Sequence, residues 1–400
     1  MGRRLPRLGP LWTVHPGPAA ARSADGASPR HHGRTRDAAK CRHRSRRPAF
    51  RLQHADGCAG PGRAGRPRVT PRVAFIATGG TIASLGHGPL DTFDYASSGK
   101  PLLDAAGILD CFPEVRAVAD VRPVTFSAVP STGLHFPTWK ALVVLCDQLL
   151  ADDPGLAGIV IGHGTATLEE TAYALHLTLK VAVPVVLVGS QRPASALSTD
   201  AGINLVNAAR VAVDPASRGL GVLVVLNDEI HAARDVAKTS TSRLQTFRTP
   251  DFGALGHADG DAIAYYRRPL RGGAPQTEFD IRSLAALPRV DISYAYAGAD
   301  GAAVRAFLGA GAEGIVSAGF APGSCAPGEL DLLKQAVAKG VVVVQSSRAG
   351  SGRVPRTTKL AQHGFIDADN LTPQKARILL SLALSVTRDP ARISTIFATY

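Results

Sequence analysis

The chain is 400 residues long, 45% apolar, with 41 glycines and 28 prolines, enough to bury a large core and to form more than one domain. Its formal net charge is +13, yet residues 1–72 hold 17 Lys and Arg against 3 Asp and Glu, and the remainder holds 28 against 29. The neutral remainder gives no electrostatic reason to expect a nucleic-acid partner for the folded part, and no run of 18 apolar residues suggests a membrane span. The five cysteines (Cys41, Cys58, Cys111, Cys146, Cys325) form no C-x-x-C and have no histidine at ligand spacing, so neither a metal site nor a disulfide framework is expected.

Residues 1–72 are rich in Arg, Pro, Gly and Ala without sustained periodicity, and they predict a disordered extension. Leu8 to Val14 is too short and interrupted for a secretory h-region, which favours a cytoplasmic location. Three readings of the extension compete: a translated upstream region, a weak tail for nucleic acid or an anionic surface, and a targeting peptide.

From Val73 the pattern becomes strand, helix, strand. Val73 to Ala77 is a short apolar run rich in β-formers, the mark of a strand buried on both faces. Thr78-Gly79-Gly80 breaks it, and Thr81 follows at what would be the strand's carboxyl end, the edge where open α/β sheets bind ligands. Leu156 to Ile161 is a second such strand, closed by Gly162-His-Gly-Thr165. A helix over 167–180 follows, with Thr167 and Glu170 spaced as a capping box. Strands over 183–188 and 221–226 flank a helix over 200–213. After an exposed-looking linker from Arg267 to Pro288, a second set of elements begins. It comprises strands over 291–296, 314–318 and 341–345, helices over 302–311 and 328–339, and a last helix over 372–386. Such alternation predicts βαβ units and a parallel sheet. The expected division is 1–72 extension, 73–266 N-terminal domain, 267–290 linker and 291–400 C-terminal domain.

Thr81 and Thr165 each follow a buried strand and a glycine turn, so parallel neighbours would bring both hydroxyls to one sheet edge. A threonine hydroxyl is a weak nucleophile unless a base and an oxyanion site assist it. Backbone N–H groups at the glycine turns and the helix start can supply the second. Arg234-Asp-Val-Ala-Lys-Thr239 offers Lys238, whose amine burial would turn into a usable base; a solvated surface lysine is the commoner fate.

Together these segments resemble the bacterial-type L-asparaginase/glutaminase family. Ile76-Ala-Thr-Gly-Gly-Thr-Ile-Ala83 is similar to its first active-site signature, and Gly162-His-Gly-Thr-Ala-Thr-Leu-Glu-Glu-Thr-Ala172 to its second. Arg234 to Thr239, Ser346-Ser-Arg348 and Leu371-Thr-Pro-Gln-Lys-Ala-Arg377 are further landmarks. The resemblance runs from about Val73 to Tyr400. It implies a larger N-terminal and a smaller C-terminal α/β domain, no cofactor and no metal, and a homotetramer of intimate dimers. It also implies Thr81 as nucleophile, Tyr95 as a lid tyrosine hydrogen-bonded to it, and Thr165 with Lys238 as a second hydroxyl–amine pair. Ser131 would hold the substrate α-carboxylate, with Gly80 and Gly164 lining the site.

Departures from the family fall on one half of that site. Ala166 stands where an aspartate usually receives the substrate α-ammonium, and Thr132 stands for its helper glutamine. Thr357 and Pro322 occupy places where some members' partner subunits supply a glutamate and an asparagine. The expected activity is hydrolysis of a small amide, L-asparagine by default, through a threonyl acyl-enzyme. The alternatives are an amide lacking a free α-amine, a non-catalytic ligand-binding relative, and an ammonia-supplying amidotransferase subunit. The last would need a folded domain in residues 1–72.

Overall fold

The structure, a computed structural model, describes residues 70–400; the extension expected at 1–72 lies almost wholly outside the described residues. The first strand begins one residue before the expected domain boundary. β1 (Arg72–Ala77) opens at Arg72, whose guanidinium grips Asp153 at 2.7 and 2.5 Å.

β1 lies between β2 (Asp120–Val124) and β3 (Leu156–Gly162), parallel to both. Beyond β3 come β4 (Val185–Val188) and β5 (Val222–Leu226), also parallel. The sheet does not stay parallel beyond β5. At Asn227 and Asp228 both φ values are positive, 51° and 62°, the geometry of a two-residue hairpin turn. The chain therefore doubles back as β6 (Glu229–Ala232), antiparallel to β5. β7 (Ala237–Lys238) and β8 (Phe247–Arg248) form a separate two-stranded ladder. β9 (Gly256–Ala258) and β10 (Ile263–Tyr265) extend the main sheet, again antiparallel. The order is β10-β9-β6-β5-β4-β3-β1-β2, a mixed eight-stranded sheet among the described residues.

Period-2 alternation explains why these strands are apolar throughout. Ala74, Ile76, Ile159 and Ile161 enter the core on one face, while Val73, Phe75, Val160 and Val186 enter a second core on the other. Four helices supply these two layers: α1 (Ala105–Cys111), α2 (Phe136–Asp152), α3 (Leu168–Thr178) and α4 (Ala201–Val213). The capping box expected at the start of α3 does not form. Thr167 makes no side-chain cap; its hydroxyl donates instead to Ser131 O at 2.7 Å, tying α3 to the loop after β2.

The C-terminal part is a four-stranded parallel sheet of β11 (Val290–Tyr294), β12 (Gly314–Gly319), β13 (Val342–Ser347) and β14 (Ile366–Asp367). Helices α5 (Ala302–Gly309), α6 (Pro327–Ala338), α7 (Thr358–Gln362) and α8 (Pro373–Val386) accompany it. The helix expected to be last is followed by α9 (Pro390–Thr399), which Asp389 caps by accepting from Ala391 N and Arg392 N. α8 packs on both β12 and α3, so one apolar core runs from the first sheet into the second.

The connection before β11 is irregular but not exposed throughout. Phe279 and Ile281 are buried, and the Phe279 ring lies 5.2 Å from that of Tyr400. Two apolar side chains without a repeat gave no periodic signal, yet they staple the segment to the core. Phe279→Ala should destabilise the protein by roughly 3–5 kcal/mol. A urea unfolding midpoint unchanged from the parent would contradict that packing role.

Among the described residues no helix is long and apolar enough to cross a membrane. None of their His, Cys, Asp or Glu side chains groups in threes to hold a metal ion.

Candidate active site

Strand order reverses around β1: the chain moves out to β2 on one side, then returns to β3 on the other and continues to β4. Such a reversal leaves a crevice at the carboxyl ends of the two central strands. Thr81 follows β1 and Thr165 follows β3, and the register Ala77↔Gly162 sets their loops side by side. Thr78 ties them further, its N–H and hydroxyl both donating to Gly162 O at 2.9 and 3.1 Å.

Glycine is required where the loops touch. Gly80 has φ 86°, and a Cβ there would come within 2.1 Å of Gly164 Cα. A Cβ on Gly164 would come within 2.7 Å of Ser131 Oγ. Any side chain at either position would push the two threonine loops apart, so the glycines set the spacing of the hydroxyls that follow them. Ser131 is buried in this contact, whereas Thr132 and Ala166 are exposed beside it.

Each threonine hydroxyl has its own hydrogen-bonded side-chain partner. Thr81 Oγ1 shares a hydrogen bond with Tyr95 Oη at 2.9 Å. Tyr95 opens a single helical turn in a loop held by Asp91, which accepts from His87 N and Asp94 N at 3.0 and 2.9 Å. Those backbone donors hold the Asp91 carboxyl below the usual range. Lys238 Nζ donates to Thr165 Oγ1 at 2.7 Å. Burial pushes the Lys238 amine below the ordinary lysine value, with the nearby Glu169 carboxylate opposing that shift. His163, within the second of these loops, is fully buried, and its Nδ1 lies 2.7 Å from Gly164 O. Burial lowers its pKa to about 4, so it is neutral at physiological pH.

The structure thus brings Thr81, Tyr95, Thr165, Lys238, Gly80, Gly164 and Ser131 into one cluster. Pro322 and Thr357, at places tied to the partner subunit in the family, line a cavity of about 510 Å³ in the C-terminal sheet region, where Thr357 caps α7 by accepting from Leu360 N. Three groups not anticipated from sequence stand behind the cluster. Glu169 accepts Lys238 N–H at 2.5 Å, Gln374 Nε2 donates to Glu169 Oε1 at 2.7 Å, and Lys375 is a fully buried cation nearby. Their contacts span 69 to 205 residues of chain, beyond the reach of any local pattern.

Paired threonine hydroxyls at the switch point of an α/β sheet, backed by an amine and a phenol, are the equipment of an amidohydrolase. Comparison with known proteins agrees. Residues 72–271 match the family described as "Asparaginase, N-terminal", and residues 289–397 match "Glutaminase/Asparaginase C-terminal domain". The "Probable L-asparaginase periplasmic" of Haemophilus influenzae is 40% identical over 82% of this chain and 92% of its own. "L-asparaginase 2" of Escherichia coli is 38% identical over 85% of this chain and 96% of its own. A crystal structure of a probable cytoplasmic L-asparaginase from Campylobacter jejuni superposes with a TM-score of 0.78 at 38% identity, covering 82% of this chain and all of that one. The chain belongs to the asparaginase/glutaminase family.

Proposed function

We propose that the protein hydrolyses L-asparagine to L-aspartate and ammonia, with Thr81 as the nucleophile. The observation that carries this is the pair of hydroxyls at adjacent strand ends, each bonded to its own acid–base side chain at 2.9 and 2.7 Å. Thr81 Oγ1 attacks the side-chain amide carbon while its proton passes along the hydrogen bond to the Tyr95 hydroxyl, which gives up its own proton toward the leaving nitrogen. Backbone N–H groups of the glycine turns receive the developing oxyanion. The tetrahedral adduct collapses with transfer of a proton to the leaving nitrogen, which departs as ammonia and leaves an ester on Thr81. Water then attacks the ester, releasing L-aspartate and returning a proton to Thr81. Thr165 and Lys238 act as a unit: the buried amine takes and returns a proton through the Thr165 hydroxyl. Ser131, buried against Gly164, receives the substrate α-carboxylate in this reading. The domain division that accompanies this reading is 73–266 and 291–400, joined by 267–290.

We also propose a homotetramer of intimate dimers, a reading supported by the family and by large exposed apolar side chains such as Phe93 and Leu270. Sedimentation equilibrium of the purified chain tests it. The proposed compartment is the cytoplasm, in line with the Campylobacter relative's name, although the Haemophilus relative is named periplasmic.

Ammonia release across L-asparagine, L-glutamine, D-asparagine and succinamic acid tests the substrate reading, with L-asparagine expected as the productive amide. Ala166 bears on how the α-ammonium is held. It is exposed directly after Thr165 and brings no carboxylate. Discrimination against succinamic acid, which lacks the α-amine, is therefore expected to be weak. Ala166→Asp should raise the ratio of kcat/KM for L-asparagine over succinamic acid by about ten- to a hundredfold, the worth of one charge-assisted hydrogen bond. A parent protein that already prefers L-asparagine a hundredfold would place the ammonium acceptor elsewhere.

A further inference from the structure

Lys238 is reached through a turn at residues 233–235 that has little regular structure of its own. Three carbonyls of this approach converge on one cation. Lys375 Nζ donates to Ala233 O at 2.9 Å, to Arg234 O at 2.8 Å and to Val236 O, using all three hydrogens of its ammonium. Lys375 is 1% exposed and belongs to the first turn of α8, in the C-terminal part of the chain. Its neighbour Gln374 donates to Glu169 Oε1, while Glu169 Oε2 accepts the backbone N–H of Lys238 itself. Glu169 stands on α3 four residues after Thr165, the hydroxyl that Lys238 Nζ meets. Lys238 is thus fixed at its backbone and at its amine by groups of a single loop and helix, and α8 holds both that carboxylate and the turn leading to the lysine.

We propose that Gln374 and Lys375 are positioning residues for Lys238, so that the first turn of α8 in the C-terminal domain sets the geometry of the amine in the N-terminal one. The proposal rests on the reading of Lys238 as the working amine of the Thr165 pair. Three carbonyls left without a donor in a buried turn would each seek another partner, and the turn would shift. The charges around this knot are Glu169 and Glu170 on α3, Asp235 and Arg234 in the turn, and Arg377 on α8. Burial draws the Lys375 amine down to about 8, against the pull of Glu169, Asp235 and Glu170. A neutral amine has two hydrogens for three carbonyls, so the brace is complete only in its charged form.

Gln374 gives the cleaner test, since it is half-buried and its loss leaves the turn's own carbonyls satisfied. Gln374→Leu removes a donor from Glu169, whose full charge then acts on Lys238 and favours its ammonium. The variant should lose about tenfold in kcat for L-asparagine with KM within about twofold. The ascending limb of its pH–kcat profile should move up by about 0.5 in pH. Gln374→Lys restores a donor and adds a cation, so kcat should recover and the limb should move the other way. Lys375→Met should lower kcat further. A merely structural role would change thermal stability without shifting the limb in opposite directions in the two Gln374 variants. Parental kcat and pH profile in both, alongside an inactive Lys238→Met, would overturn the positioning role alone. An active Lys238→Met would instead overturn the reading of the lysine beneath it.

Discussion

Thr81→Ala is expected to lower kcat for L-asparagine by about 10⁴-fold or more while the protein stays folded. The size follows from the role, since without the hydroxyl no acyl-enzyme can form and residues that act as a unit lose nearly everything together. The small structural cost follows from the surroundings. Thr81 Oγ1 has one side-chain partner, the Tyr95 hydroxyl, and Tyr95 is half-exposed, so water can replace the lost bond. The backbone turn that places Thr81 depends on Gly80 and on Ser84, whose hydroxyl donates to Gly80 O at 3.0 Å, and neither is touched. Ammonia release and a thermal melt on the same sample separate the two effects. Thr81→Ser, which keeps the nucleophilic oxygen, should retain measurable turnover. Near-parental ammonia release from Thr81→Ala would show the chemistry to be centred elsewhere.

Lys238→Met should lower kcat by about 10³-fold, the middle of the range for a lost acid–base group. Methionine nearly matches the lysine stem in volume, so the change removes the amine at 2.7 Å from Thr165 Oγ1 and little packing. The backbone bond from residue 238 to Glu169 persists in the variant. pH dependence makes the prediction specific. Burial lowers the Lys238 pKa below that of a free lysine, near 10.4. A base works in its neutral form, so kcat should rise with pH through that lowered pKa, and the rise should complete below the ordinary lysine range. In Lys238→Met this ascending limb should vanish. Its persistence at the same pH would assign the limb to another group.

Much of this site could be read from the sequence because its parts are local. A buried strand, a glycine turn and a threonine lie within about ten residues at Val73–Thr81, and again at Leu156–Thr165. Both runs are apolar at every position because the sheet is covered on both faces. What failed to show was non-local or masked by a local rule. Thr167 has the spacing of a cap, yet its hydroxyl goes to Ser131, a partner 36 residues away. α2 buries Trp139, Leu142, Val143 and Cys146, a clear helical stripe, but Pro137 near its start resembles a break rather than a first turn. The hairpin at Asn227-Asp228 is the exception, a local turn pair after an apolar run that the strand–helix alternation on either side obscured. Gln374 and Lys375 sat within a landmark segment, but only the fold shows that they face Glu169 and the turn before Lys238.

The proposed reaction turns on a covalent bond between the substrate's acyl group and one oxygen, Thr81 Oγ1. Purified protein mixed with L-asparagine, quenched in acid within milliseconds and analysed by intact mass and peptide mapping, should carry a β-aspartyl ester. That ester is expected on the peptide containing Thr81, absent from Thr81→Ala and more abundant in Lys238→Met, where the loss of the amine slows deacylation. A β-aspartyl adduct mapped to Thr165 in the parent protein, or ammonia release with no adduct at any quench time and no hydroxamate formed in the presence of hydroxylamine, would contradict it.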